Sequence, residues 1–465
     1  MFVLGSMIMF VAASAKAQSV GQVFTVDDSG DTHDSAPGDR ICADSQGKCT
    51  LRAAVEESNA ERVGRDVIIF NLQAPAIIDL TLGTLVIRGN GLSIVGPGAR
   101  RLTVQRFTGG TPFRIFHIPE SGTQATLRGV TISDGISGQF ISGGGIYAGA
   151  GTRVHIADAA LRNHTGGAGG AIFNEGQMTI SRVLMANNAA NVDGGAIATT
   201  PGSTTRILNT TMTFNSARNG GAIYAEGNLL CVNCTIAGNS ASVSAGSIRS
   251  GAANEVALLN SIVGSDLSFP IPSLSGSFLS HGNNLITDAR GSTGFVNGVK
   301  NDQVSDNNVI NPLLGPLADN GGQTDTRALM AGSPAIDAGN SCVYLGPCPM
   351  FAPQEQVRLI WDQRVNHPRR GGLLSDVDIG AYESGNGGSS GSSSFGMIPI
   401  AQGAFLWNSV TVLINVETGE RLYRSIGPRG IQRFNNLPSG IVFVVELRTK
   451  RAIARTDPFV LAFPD

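Results

Sequence analysis

Aromatic side chains make up only 6% of the 465 residues and charged ones 15%, and lysine occurs four times, at Lys16, Lys48, Lys300 and Lys450. So few rings exclude a core built on large side chains and suit a fold of many small turns. The lysine deficit reflects base composition rather than chemistry. A net charge of -2 argues against an electrostatic nucleic-acid binder. After residue 13 no apolar run approaches 18 residues, so no membrane-spanning helix is expected in the mature chain. The histidines, His33, His117, His155, His164, His281 and His367, form no pair at ligand spacing, and neither a metal site nor a cofactor is expected.

Glycine, by contrast, is abundant, at 61 residues, well above the usual share of about 7%. It recurs with a period. Gly-Gly-Ala-Ile stands at Gly169 to Ile172, Gly194 to Ile197 and Gly220 to Ile223, with variants at Gly143 to Ile146 and Ala245 to Ile248. The isoleucines fall at 146, 172, 197, 223 and 248, in steps of 26, 25, 26 and 25. A near-constant period of this size marks a solenoid.

The contents of the period select the solenoid. Short alternating stretches such as Gln177 to Ile180 and Thr205 to Leu208 read as strands, and no part of the unit is long enough or free enough of Gly and Asn for a helix. Leucine-rich, ankyrin and tetratricopeptide repeats therefore fit poorly. One coil of a parallel β-helix fits, with successive coils about 4.8 Å apart. The isoleucines are expected to stack inward, the Gly-Gly pairs to form tight corners, and an asparagine column at Asn163, Asn188, Asn215 and Asn239 to bond from coil to coil. All three columns are structural.

The amino terminus reads as an export signal. Residues 2–13 are apolar or small, no charge precedes Lys16, and Ala15-Lys16-Ala17 is an A-x-A cleavage site, which predicts a mature start at Gln18. The basic n-region is missing, which leaves room for a start codon upstream. A secreted or cell-surface protein is expected.

Cysteine usage agrees with export. Cys42 with Cys49 and Cys342 with Cys348 flank loops rich in Gly, Asp and Pro, and local disulfides are expected in both. Cys231 and Cys234 differ: in an extended strand their Cα atoms lie about 10 Å apart, beyond a disulfide. Neither a helix start for a redox pair nor two further zinc ligands is visible, and small buried thiols are the expectation unless a corner intervenes.

Family resemblances lie at the flanks. Residues 49–60, Cys-Thr-Leu-Arg-Ala-Ala-Val-Glu-Glu-Ser-Asn-Ala, resemble the CSLREA-type motif of bacterial secreted β-helix proteins, with Thr50 for Ser and Ala53-Ala54 where Glu-Ala is typical. Residues 51–60 also form the one convincing amphipathic helix, with Thr50 as its N-cap, placed to cover the open end of a solenoid. Downstream, Asn311 to Thr324, Gly332 to Gly339, Asp362-Gln363-Arg364 and Asp378 to Glu383 resemble the choice-of-anchor Q domain in order and spacing. The Gly-Gly-Ala-Ile and Phe214-Asn215 elements are similar to repeats of chlamydial polymorphic outer membrane proteins, although the chain has no room for the large barrel those carry. These resemblances imply a right-handed, single-stranded parallel β-helix of pectin-lyase-like form, exported to the bacterial surface; alternation at Val410 to Ile414, Arg421 to Tyr423 and Ile441 to Leu447 adds a small C-terminal β domain, so an all-β chain with a short N-terminal capping helix is expected. The boundaries expected are 1–17 for the signal peptide, 18–66 for the N-terminal cap, 67–310 for the β-helix, 311–384 for a Q-like C-terminal cap, 385–395 for a Gly/Ser linker and 396–465 for a sandwich-like β domain.

Three sets of residues carry possible function. Asp27, Asp28, Asp31 and Asp34 suggest a calcium loop, without EF-hand spacing. Asp319, Asp337, Asp362, Asp378 and Glu383 either converge on a ligand or cap turns and pair with Arg364. Strand alternation turns the residue after each stacked isoleucine outward, giving Tyr147, Phe173, Ala198, Tyr224 and Arg249, with Glu175 and Glu226 two positions further on. Tyr147, Phe173, Glu175, Tyr224 and Glu226 are the expected stripe for a surface glycan or a protein partner. No catalytic residues are assigned. The expectation is a non-enzymatic adhesin or interaction scaffold; the alternative is a polysaccharide lyase or hydrolase with non-standard catalytic residues. The ordered Asn-Thr-Asp, Asp-Asp, Gly-His-Gly and Arg-Ile-Lys motifs of polygalacturonase-like enzymes are absent, with only Asp27-Asp28 and His281-Gly282 as fragments.

Overall fold

The computed structural model describes residues 21–61, 65–89, 91–138, 141–251, 255–264, 271–306, 310–345, 348–351, 359, 361–364 and 377–384, and the backbone of four further strands between 409 and 462. The export-signal and Gly/Ser-linker readings lie outside these residues. Residues 1–384 and 385–465 are separate compact units.

Apolar residues at every second position of short strands make a parallel β-helix. Three long parallel sheets run its length. The first, S1, has ten strands from Val23–Val26 to Leu279–Gly282; the second, S2, has ten from Ala76–Leu80 to Gln303–Val304; the third, S3, has nine from Leu85–Val86 to Ser292–Thr293. A short ledge, S4, adds four strands between S2 and S3 in the central coils, from Thr165–Ala168 to Ser240–Ser244. Every strand pairs with its equivalent one coil away, so like residues stack. Ile146, Ile172, Ile197, Ile223 and Ile248 are in register and all 0% exposed.

The two glycines of each Gly-Gly corner have different duties. Gly169, Gly194 and Gly220 take left-handed backbone, with φ of 60, 64 and 60°, and a Cβ there would strike the carbonyl three residues on. The second glycine faces its neighbour coil: a Cβ on Gly170, Gly195 or Gly221 would strike the carbonyl of Gly195, Gly221 or Gly246. Ala245 holds the left-handed position of its coil, at φ 56°.

The asparagine column is shifted by one residue in its first coil. The buried rungs are His164, Asn188, Asn215 and Asn239, whereas Asn163 occupies the left-handed corner just before, with Asn187, Phe214 and Gly238 in the following coils. Asn188 and Asn215 each donate through Nδ2 to the next rung, at 2.9 Å, and to a carbonyl of the preceding coil. A second left-handed column, Asp158, Arg182, Asn209, Asn233, Asn260 and Asn283, turns the chain from S1 to S2.

The N-terminal boundary differs from the expectation. Val23–Val26 pairs in register with Val67 to Phe70 and is itself the first S1 strand, so residues 18–66 are not a separate cap. Helix α1 (Leu51–Glu61) is looped out between these two strands. The Thr50 hydroxyl caps it, accepting from the Ala53 N–H at 3.1 Å, and Leu51, Ala54 and Val55 enter the solenoid core. An Arg52–Asp31 ion pair, nearly fully buried, ties the helix to the preceding loop.

The described residues of 311–384 lie along the side of the solenoid rather than over its end, which corrects the expectation of a C-terminal cap. The outer face of S2 explains why: Leu184, Ala186, Thr211, Thr213, Thr235 and Ile262 are outward-facing yet buried, so this face has to be covered. Leu317 packs on Ala99, Ala160, Leu184 and Ala186, while Leu329, Ala335 and Ile379 pack on Ile262 and Leu285. The corner asparagines supply the polar half of the contact. Asn209 donates to the Trp361 carbonyl at 2.7 Å, Asn260 to that of Asn340 at 3.0 Å and Asn283 to that of Ala338 at 2.9 Å. The Cys342–Cys348 loop packs on Val232 and Leu259, outward residues of S1.

The second unit contains an antiparallel sheet. Its strand order is Arg421–Ser425, Ser409–Asn415, Val442–Thr449, Phe459–Ala462.

Candidate functional site

With the outer face of S2 covered, S3 is the long face on which outward rings stack from coil to coil among the described residues. Strand register stacks His117, Tyr147, Phe173, Ala198, Tyr224 and Arg249 in one column. The flanking residues of each strand point inward and are buried, which leaves these side chains half-buried, except Ala198 at 2% exposed. The rings stack on one another. Tyr147 and Phe173 lie 6.0 Å apart with planes 11° from parallel, and His117 meets Tyr147 edge-on at 5.0 Å. Stacked rings turn their edges outward, so the column is a ridge rather than a flat platform. The ring stacking is interrupted at Ala198, which separates Phe173 from Tyr224 in the column, and among the described residues no further ring stacks on Phe173.

The carboxylates stand beyond the strand ends, at the corner leading to S1. Glu175 accepts a hydrogen bond from the Tyr147 hydroxyl at 2.6 Å, across one coil, while Glu226 accepts from Tyr224 in its own coil at 3.2 Å. The register sets the two carboxylates two coils apart, each engaged by its own tyrosine. Burial, and then the Glu175 carboxylate, push the Tyr147 hydroxyl up to about 12. Tyr147 therefore stays a proton donor at neutral pH. Tyr224 is raised by burial and by Glu226 and Asp193.

Cations close both ends of the column. The Arg249 guanidinium lies 5.6 Å from the Tyr224 ring centre and donates to Asn219 at 3.1 Å. At the other end Arg114 lies 5.0 Å from the Tyr147 ring centre, and Arg88 pairs with Glu120. His117 is held below its usual value by burial, then by Arg114 and Arg88. His117 and Arg114 were not legible in the sequence because their coil lacks the Gly-Gly signature. The alternation Phe116-His117-Ile118 was the available signal.

The other candidates have structural partners. In the N-terminal loop the Asp27 carboxylate accepts from the Cys49 N–H, Asp28 from Gly30, and Asp34 from Ala36 and Ala43, while Asp31 serves Arg52, Thr81 and Leu82. In the flank segment Asp362 pairs with Arg364 at 2.6 Å, Asp378 accepts from the Asp337 N–H and Glu383 from the Asp378 N–H. Asp319 pairs with Arg100. Arg364 stacks on Tyr382 at 3.8 Å. These carboxylates act on backbone and arginine, in keeping with the turn-capping reading.

Cys42–Cys49 and Cys342–Cys348 are disulfides, with Cα separations of 5.1 and 4.9 Å. Cys231 and Cys234 are free and buried, and Asn233 between them is left-handed, so the four residues form a corner and not one extended strand. Their thiols meet in the core. Burial first, then its Cys234 neighbour, hold the Cys231 thiol well above its usual value.

No family model matches this chain, and searches of curated proteins and of solved structures return no match.

Proposed function

We propose that this chain is an exported, surface-associated β-helix scaffold or adhesin that holds a glycan or a protein partner on the outer face of S3. The observation that carries this reading is the register column of Tyr147, Phe173 and Tyr224 with Glu175 and Glu226 at its edge. Ring edges along the ridge offer a sugar apolar contact, and carboxylates accept from its hydroxyls. The finer resemblances belong to the same proposal: a CSLREA-type motif at residues 49–60, a choice-of-anchor Q module at 311–384, repeats like those of polymorphic outer membrane proteins, and residues 396–465 as the attachment or partner module.

The alternative of a polysaccharide lyase or hydrolase gains less support from this face. A Tyr147 hydroxyl held at about 12 stays protonated and does not serve as a base at neutral pH, and the engagement of Glu175 and Glu226 by separate tyrosines offers no shared proton. The test is a broad glycan array probed with the full chain and with the Tyr147→Ala/Phe173→Ala/Tyr224→Ala variant. Selective retention that disappears in the variant supports the reading. Retention unchanged by the substitutions contradicts the stripe, and retention by neither protein contradicts glycan binding.

A further inference from the structure

Arg114 stands apart from the other partly buried arginines of the solenoid. Arg52 has Asp31, Arg128 and Arg182 share Asp158, Arg364 has Asp362, and Arg106, without an ion pair, donates to the carbonyls of Asp134 and Phe107. Arg114 is half-buried against the Tyr147 ring, 5.0 Å from its centre, and among the described residues it makes no ion pair and no hydrogen bond to an acceptor. Taking a charge partly out of water without a partner is unfavourable. The ring face offsets part of that cost, but the planar fork of N–H donors is left unused.

The surroundings select what would use it. Arg114 belongs to the coil before Tyr147, beside the Arg88–Glu120 ion pair, whereas Glu175 belongs to the coil after it, so a guanidinium and a carboxylate occupy opposite ends of the same ring stack. Burial first, and then Arg114 and Arg88, depress the neighbouring His117, which leaves Arg114 beside a neutral imidazole. Building on the glycan-binding reading above, we propose that the Arg114 end of the stripe takes the anionic substituent of an acidic glycan, a uronate carboxylate or a sugar sulfate, while the ring column takes the sugar. A guanidinium fork matches either planar carboxylate or sulfate oxygens.

The test measures affinities of the full chain and of Arg114→Gln for polygalacturonate, its fully methyl-esterified form, a sulfated dextran, unmodified dextran and polyglutamate. The proposal expects at least one acidic polysaccharide to bind more tightly than its neutral counterpart. Arg114→Gln should weaken that binding about tenfold or more, the scale of one charge-assisted hydrogen bond, with Arg114→Lys restoring part of it. The preferred arm separates carboxylate from sulfate. Equal binding of acidic and neutral polymers, or unchanged affinity in Arg114→Gln, overturns the proposal and leaves the glycan reading in place. Binding of polyglutamate as tight as that of the acidic polysaccharides overturns it in favour of an acidic protein partner. If none of these polysaccharides binds, the acidic-glycan proposal falls, and the broad array decides the glycan reading separately. An equal melting temperature for wild type and Arg114→Gln keeps a folding effect from imitating the result.

Discussion

His164 stands one coil above Asn188 in the buried ladder, and its ring performs with two nitrogens what each asparagine performs with one amide. Its Nδ1 accepts from the Gly135 N–H and its Nε2 donates to the Ile132 carbonyl, both at 3.0 Å, while its own N–H donates to Asn188 Oδ1. The Asn188 and Asn215 amides reach the carbonyls of Leu161 and Met185, the residues equivalent to Ile132.

That arrangement requires a neutral imidazole. Burial drops His164 from its ordinary 6.5 to about 4, a difference of about 3 kcal/mol. The unfolded chain takes up this proton as pH falls below the ordinary value, and the folded chain does not until the lower one. The stabilisation is therefore complete above pH 6.5 and is lost progressively as pH falls toward about 4. Denaturant unfolding at a series of pH values should show this slope, and His164→Asn, which supplies the rung used in the next coils, should flatten it.

Asn215→Ala breaks the ladder in its middle. It strands the Asn188 N–H in the core and removes the acceptor of the Asn188 amide, and at about 1–3 kcal/mol for each unsatisfied group the loss should be about 2 kcal/mol or more by denaturant unfolding. A loss under about 1 kcal/mol would mean that the rungs do not act as described.

The corner glycines give a matched pair. Gly220→Ala meets both left-handed strain and the Ile223 carbonyl, and should destabilise by at least about 2 kcal/mol. Ala245→Gly relieves strain already present, and should leave stability unchanged or raised by up to about 1 kcal/mol. Melting curves of the two variants decide.

Much of this architecture was legible in the sequence because stacking forces like residues to recur. The isoleucine column, the Gly-Gly corners and the Thr50 cap could be read from period and residue type. The ladder register could not. Asn187-Asn188 is a doublet, and Asn163 looks like a rung unless one knows that His164 can replace an asparagine. The sideways course of residues 311–384 was equally hidden, since burial of Leu184 or Thr211 from outside depends on a chain segment more than 100 residues away in sequence. For the candidate site, alternation gave the column itself. It did not show that the rings stack edge-outward or that Arg114 and His117 extend the column in a coil without the repeat signature.

The flank segment is held by a buried charge pair. Arg364→Ala leaves Asp362, 0% exposed, without its guanidinium, a loss of about 3–5 kcal/mol for a broken buried pair. Limited proteolysis should then cut residues 311–345 and 377–384 faster than in the wild type. An unchanged cleavage pattern would argue that the apolar contacts alone fix the segment.

The buried thiols should be inert in the folded protein. With Cys231 and Cys234 inside the solenoid and burial holding the Cys231 thiol up, alkylation at neutral pH should be negligible until denaturant is added. Fast labelling of the native chain would contradict the interior placement.

The central claim is that the S3 column is the binding face, and it is tested most directly by the affinity of an array-selected glycan for single variants on two faces. Phe173→Ala removes a ring from the S3 column, whereas His155→Ala alters an exposed position on S1. The account predicts that Phe173→Ala weakens binding about tenfold or more, within the range reported for aromatic contacts at binding hot spots, while His155→Ala leaves it unchanged. Equal affinity for wild type and Phe173→Ala, or a larger loss from His155→Ala, would place the ligand elsewhere and contradict the claim.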